Sequence, residues 1–405
     1  MAGCTLQDPG SEVGNRVKFS VERDVLADAV AWAARSLPVR PSAPVLAGLL
    51  IDASDSADGG LVLSTFDYET SARATITAQV HDEGRALVSG RLLADICRSL
   101  PPKPVEMTLD GSRVSLTCGA ARFSLQTMPV EDSPSLPQMP AATGTVGSDV
   151  FAHAVAQAVT AAGRDDMLPV LTGVRIEING STISLLATDR FRLSHRELDW
   201  SPHTPDETIA ALVPARVLGD TAKSLTSGSE VTIALSHGGS GEGIIGFEGQ
   251  APGGVRRTTT RLLDGEFPKV RHIMNTQAVM NVRVSTSEAI AAAKRVALVA
   301  ERNTSLRMLI GEGYVTLEAA TGDQAQASES IEATVDQPGG GDLAVTAAGF
   351  NPTYLLDALG VFDTPYVNFA FTAPSKPCLM TGLADLDGEP LTDYRHVIML
   401  MRLPT

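Results

Sequence analysis

Apolar residues at helical spacing, such as Leu26, Val30, Ala33 and Leu37, predict a helix over 22–36. Comparable windows fall at 151–164 and 287–302. Each is followed by a pair of strand-like runs: 45–52 with 61–66, 170–178 with 182–187, and 306–310 with 313–319. A bend then leads into a further strand at Asp67, Asp189 and Asp323, and a shorter helix is expected over 91–100, 216–225 and 352–359. Alternating strands close each unit, as in Val105-Glu106-Met107-Thr108-Leu109, Val231-Thr232-Ile233-Ala234-Leu235 and Val367-Asn368-Phe369-Ala370-Phe371.

The same order of elements occurs three times, and the first two copies share residues at a fixed offset. Pro44-Val45-Leu46-x-Gly48 returns 125 residues later as Pro169-Val170-Leu171-x-Gly173. Ala86-Leu87-Val88 returns as Ala211-Leu212-Val213. Arg91, Leu93 and Asp95 return as Arg216, Leu218 and Asp220, and Ser99-Leu100 as Ser224-Leu225. Turn formers concentrate over 129–147 and 273–281, which divides the chain into three α+β domains at 17–137, 148–272 and 280–405. Gly238–Gly243 and Gly339–Gly341 read as loop tips.

Composition narrows the class. At 43 % hydrophobic and 20 % charged, the chain is a globular protein with room for roughly two to four cores. The formal charge of −15 argues against strong nucleic-acid binding taken alone. Over the six predicted helices, however, basic residues slightly outnumber acidic ones, so the acidity lies in the rest of the body. Such a distribution presents one attractive surface to DNA and a repulsive outside. Cys4, Cys97, Cys118 and Cys378 are widely spaced and read as reduced, mostly core thiols. The first residues carry no basic and apolar leader, and no run reaches the ~18 apolar residues of a membrane span. A cytoplasmic protein is expected.

Enzyme signatures fail on inspection. Gly241-x-Gly243-x-x-Gly246 fits a dinucleotide fingerprint, yet it lies between two strand patterns and reads as a hairpin loop. The histidines (81, 153, 195, 203, 237, 272 and 396) never fall at HxxxH spacing, no Walker loop occurs, and no nucleophile elbow is present. Asp165-Asp166 and Glu131-Asp132 read as turns. No catalytic residue, metal or cofactor is expected.

Three longer motifs carry a resemblance: Leu37-Pro38-x-Arg40-Pro41-x-x-Pro44-Val45-Leu46, Ala187-Thr188-Asp189-Arg190-Phe191-Arg192-Leu193, and Phe350-Asn351-Pro352-Thr353-Tyr354-Leu355. With the terminal Met399-Leu400-Met401-Arg402-Leu403, they resemble the bacterial DNA polymerase III beta subunits, the sliding clamps, in an actinobacterial form. The resemblance runs from about Val17 to Leu403.

It implies three repeated clamp domains and a head-to-tail homodimer forming a ring around duplex DNA, with helices toward the pore and strands outside. The replicative polymerase alpha subunit, the clamp loader, and other polymerases and repair proteins would be partners. DNA contacts would be independent of sequence, with Arg40, Arg91, Arg164, Lys223 and Arg295 as candidates to face it. The implied seam joins Phe123 and Leu125 of one copy to the helix end near Leu298 of the other. A peptide bearing Gln and bulky apolar residues would bind at Leu171, Thr188, Arg190, Arg192, Leu193, Pro268, His272, Ile273, Asn351, Tyr354, Val397, Met399, Met401 and Arg402.

Two places depart from the family pattern, and one is the linker Phe267-Pro268-Lys269-Val270-Arg271-His272-Ile273-Met274-Asn275, which lacks the proline that often follows this segment. At the other, Leu400 stands where the family usually has proline, which adds an N–H and a larger side chain expected to lie beside the groove. That leaves a second function to consider, a specialised clamp copy conferring self-resistance to an antibiotic aimed at the groove. A repeat scaffold that never touches DNA is the third.

Overall fold

The computed structural model describes residues 17–54, 60–204, 208–236, 243–275, 277–301, 304–322, 324–337 and 343–403. Cys4, Arg302, Asp323 and most of the two glycine-rich loop tips therefore lie outside the described residues. Six α-helices occur among the described residues: α1 (Arg23–Ala33), α2 (Gly90–Ser99), α3 (Ser148–Val159), α4 (Ala215–Ser224), α5 (Thr286–Val296) and α6 (Pro352–Leu359). The chain divides into two compact units, the first comprising residues up to 141 with 224–236 and 244–261, and the second the remainder.

In the first unit, alternation sets the core. Val105, Met107 and Leu109 face inward along one strand while Glu106 and Asp110 face out. Strand Lys18–Val21 lies between Gln79–Asp82 and Val105–Asp110, and the sheet runs on through Arg113–Cys118 to an edge at Ala121–Gln126. In a second antiparallel sheet, Gly48–Asp52 and Gly60–Phe66 lead to Thr70–Thr77, which pairs with Gly254–Arg261. Buried Phe19, Leu26, Leu49, Leu63, Leu93 and Leu116 share one core beneath α1 and α2. The joint is reinforced by Arg256, 6 % exposed, which is ion-paired with Asp28 of α1 and stacked 5.1 Å over Trp32.

The second unit holds a twelve-stranded sheet, antiparallel in all the pairings described. At its fourth and fifth places, strand Arg192–Asp199 pairs with Tyr394–Ile398, and this ladder carries the second repeat into the third. α3 packs on Thr182–Thr188 and Arg192–Asp199, while α5 packs on α6 and on Ala325–Asp336. Polar bridges back the ladder: the Ser194 hydroxyl donates to the Ala158 carbonyl at 2.6 Å, and the Gln157 amide to the Val361 carbonyl at 3.0 Å.

The motif repeated at 125 residues performs the same task twice. Pro44–Ala47 and Pro169–Thr172 form 3-10 turns, not the strand starts expected, because proline at the first position has no N–H to give a ladder. The glycine that follows lets the chain press on a leucine of the neighbouring strand. A Cβ on Gly48 would stand 2.7 Å from Leu87 Cδ1, and one on Gly173 2.8 Å from Leu212 Cδ1. Two helices end earlier than the periodicity suggests. After α3 the Gly163 N–H bonds to the Leu171 carbonyl at 2.7 Å, and α5 tightens into a 3-10 turn at Ala297–Val299. Arg164 thus stands beyond its helix.

A candidate peptide groove at the Asp189 turn

The acidic bends are tight turns of one design. Asp67 Oδ1 accepts from the N–H groups of Glu69 and Thr70, and Asp189 Oδ1 from those of Phe191 and Arg192, both at 3.0 Å. Each forces its next residue into the left-handed region, Tyr68 at φ 74° and Arg190 at φ 80°. For a non-glycine residue this costs about 1 kcal/mol or more. At Arg190 the strained residue sits where two cavities meet.

The smaller cavity, of ≈ 80 Å³, is lined by Leu171, Thr188, Arg190, Arg192, Leu193, Pro268, Val270, Ile273, Val397 and Met399. Nine of these are the positions the resemblance pointed to; Val270 is the addition. Met274 anchors the loop behind it, buried with Leu193 and Val397, and Phe267 is buried with Leu186 and Leu212. The 3-10 turn Arg271–Met274 is tied down by Arg271, which pairs with Glu177 and lies 3.3 Å from His195 Nε2. Burial and the Arg271 charge hold His195 down to about 4, against an opposing pull from Glu197.

The larger cavity, of ≈ 450 Å³, shares Leu171, Arg190 and Arg192 with the smaller and adds Tyr354, so the two form one groove. Its wall is a cross-domain cluster. Arg192, 5 % exposed, donates to Asp189 Oδ2 at 2.9 Å and to Asp357 Oδ2 on α6 at 2.8 Å, with its guanidinium 4.4 Å from the Tyr354 ring centre. Phe191, half exposed, stacks on Tyr354 at 6.4 Å. Burial, with Asp189 adding to it, raises the Tyr354 phenol above its ordinary range.

Four expected groove residues are not among those lining either cavity. Asn351 caps α6, its Oδ1 accepting from the N–H groups of Thr353 at 3.0 Å and Tyr354 at 3.2 Å, so that oxygen is committed. His272 is exposed and lines neither cavity. Met401 and Arg402 border a separate ≈ 620 Å³ cavity with Arg307 and Glu318, because the chain leaves the Arg192 strand after Met399 and bonds to the Gly349 carbonyl at Met401. Between them Leu400 packs against the third-repeat core. Its replacement of the family's proline therefore does not put a larger side chain into the groove.

Of the cations considered for DNA, Arg40 and Lys223 are exposed. Arg91 donates to the carbonyls of Leu37 and Pro38, and Arg295 pairs with Glu329 at 2.8 Å. Arg164 lines the larger cavity. At the expected seam, Leu298 is 84 % exposed and Phe123 half-buried, but Leu125, 3 % exposed, belongs to its own core. Among the described residues no cluster of His, Cys, Asp or Glu could hold a metal, and no helix is long and apolar enough to cross a membrane.

Three clamp domains, joined strand to strand and carrying a groove where the second meets the third, are the architecture of a DNA sliding clamp. The chain matches the N-terminal, central and C-terminal domains of the DNA polymerase III beta subunit over residues 17–137, 145–269 and 271–402. It is 53 % identical to the beta sliding clamp of Streptomyces coelicolor, over 96 % of this chain and all of that one. It is 38 % identical to the beta sliding clamp homolog GriR of Streptomyces muensis, over 95 % and 99 %. A Pseudomonas aeruginosa sliding clamp solved bound to griselimycin matches with a TM-score of 0.81 at 25 % identity, over 96 % and 100 %. The chain belongs to the DNA polymerase III beta subunit family, in its actinobacterial form.

Proposed function

We propose that two copies of this chain close head to tail into a ring around duplex DNA, and that the groove at Arg190 tethers a polymerase to it. The joint between repeats carries this reading. The strand after each acidic bend pairs with the closing strand of the next repeat: Thr70–Thr77 with Gly254–Arg261, then Arg192–Asp199 with Tyr394–Ile398. The corresponding strand of the third repeat, Ala325–Asp336, pairs with Tyr314–Thr321, and among the described residues its Ala325–Glu332 stretch has no partner on the other side. The closing strand of the first repeat, Ala121–Gln126, is likewise last in its sheet. Each copy thus keeps one open edge of each kind, and pairing them between two copies satisfies both. Open edges left unpaired invite indiscriminate strand addition.

The clamp acts by topology and catalyses nothing. The domains follow the boundaries 17–137, 148–272 and 280–405, and the protein works in the cytoplasm at the nucleoid. The alpha subunit of the replicative polymerase, the loader, and other polymerases and repair proteins with clamp-binding peptides share the groove. Its apolar wall with a flexible Met399 suits ligands of varied shape. The test is retention on DNA. Clamp assembled by its loader on a nicked circular plasmid should elute with the plasmid and be lost once that plasmid is cut. Equal retention on circular and linear DNA would reject encirclement, and no binding to either would leave a protein scaffold.

A further inference from the structure

The segments that follow the closing strands of the first two repeats start in the same register. The Met128 N–H bonds to the Leu87 carbonyl and the Leu263 N–H to the Leu212 carbonyl, each at 2.8 Å. In the second repeat, Phe267 and Val270 of that segment pack with Leu186 of the sheet beneath. Counted from that start and from the aspartate of each turn, the first repeat has Asp132, Ser135 and Ser64 at those places. Asp132 is exposed, so no aromatic plug lies under the first segment. A cavity of ≈ 290 Å³ stands between it and the strands Gly48–Asp52 and Gly60–Phe66. Ser64, 3 % exposed, lines this cavity with Ser133 and Ser135, and none of the three hydroxyls has a hydrogen-bond partner among the described residues. Arg73 and Arg85 share the lining with one carboxylate, Asp52, which Arg85 and the Ser54 N–H and hydroxyl already satisfy. Both guanidiniums have partners, yet each carries five N–H donors to share. Unpaired hydroxyls beside two guanidiniums and one neutralised acid form the donor set of an oxyanion site.

We infer that this first-repeat cavity binds a small organic phosphate, its phosphoryl oxygens on the serine hydroxyls and guanidiniums and its apolar body against Phe66 and Leu136. Three hydroxyls and two guanidiniums offer more donors than the two oxygens of a carboxylate use, whereas a phosphoryl group brings three acceptor oxygens. The volume sets the size of the ligand. It lies at the lower limit of small-molecule sites, which favours a free phosphate ester over a segment of a partner protein.

The experiment is calorimetric titration of the full-length protein with phenyl phosphate, inorganic phosphate, benzyl alcohol and a short phosphoserine peptide. Phenyl phosphate should bind with a Kd below about 1 mM, with inorganic phosphate competing more weakly. Benzyl alcohol, which keeps the ring and lacks the charge, should bind roughly tenfold or more less tightly. Ser64→Leu installs the residue type that the second repeat carries as Leu186, and should abolish binding by filling the cavity. S133A with S135A removes two hydroxyls from the covering segment without touching the sheet, and should weaken phenyl phosphate roughly three- to tenfold. Urea unfolding of each variant shows that it is folded, and the serine pair keeps the test decisive if Ser64→Leu is not. No heat from phenyl phosphate, binding that survives in the folded variants, or equal affinity for benzyl alcohol would overturn the inference. A phosphoserine peptide that bound while phenyl phosphate did not would make the cavity a docking point for a phosphorylated protein, and would overturn it as well.

Discussion

Arg192 shows how one side chain sets the shape of a site that it does not need to touch a ligand to control. It is a nearly fully buried cation held by Asp189 from its own turn and by Asp357 from the next domain, under the Tyr354 ring. Removing the guanidinium leaves two partly buried carboxylates without their cation, which costs about 3–5 kcal/mol. R192A should accordingly lower the urea midpoint of unfolding clearly, and R192K should recover only part because ammonium cannot serve two carboxylates from one plane. A second residue-scale feature makes stability depend on pH. Burial holds His396 down to about 3 and His195 to about 4 in the folded protein, against an ordinary value of 6.5. Both imidazoles are neutral when folded, whereas the unfolded chain takes up protons below 6.5. Their contribution is therefore full above that pH and is lost as pH falls toward the folded values. Between pH 6.5 and 5 the unfolding free energy should drop with a slope approaching about 1.4 kcal/mol per pH unit for each imidazole. H396Q, measured by urea denaturation across that range, should remove one such increment from the slope; an unchanged slope would mean that His396 is not the group responsible.

At the scale of elements, the sequence could be read wherever one residue type does one job. The glycine that admits Leu87 or Leu212 recurs because a Cβ would collide there, and the turn aspartate recurs because a short side chain must accept the turn's N–H groups, so the duplication is visible at the level of identity. Element ends were less legible. Ala161 and Ala162 continue an apolar pattern past Val159, but their N–H groups turn to carbonyls three residues back and the Gly163 N–H then bonds to Leu171 in the next segment, which ends the helix. The C-terminal segment is hard to read for a similar reason. Met399 and Met401 have the same chemistry, but the backbone changes its partner from Phe191 to Gly349 between them, and no local pattern announces that change. The small cavity was nearly complete in the motifs, while the larger one, made by a loop after α3 meeting α6, was not. In the proposed ring, assembly depends on the open edges. F123D combined with L298D places charge on the half-buried and exposed apolar residues beside them without touching the buried Leu125. The double variant should sediment as a folded monomer at micromolar concentration; persistence of the dimer would put the seam elsewhere.

At the scale of the whole molecule, the charge of −15 and a DNA-encircling function are compatible only if the cations act together and weakly. A tight local contact would stop the ring from sliding, so each exposed cation must contribute little, and screening at physiological salt ensures this. The cations differ in what they have left to offer. Arg91 is engaged by the Leu37 and Pro38 carbonyls and Arg295 by Glu329, whereas Arg40 and Lys223 are exposed. R40A or K223A alone should leave loading onto a nicked circle within about twofold, as expected for single exposed charges. Combined with substitutions at Arg91 and Arg295, they should slow loading severalfold and shift its salt limit downward. Retention is a separate quantity. Once the ring is closed on a circle, linkage and not ion pairing holds it, so the half-life on closed DNA should stay at the wild-type value. Escape from a linear end should quicken in the combined variant, because the attraction that retards the ring's passage along the duplex is then weaker. Loss from a closed circle by a variant that is still dimeric would mean that charge, not topology, holds the clamp in place.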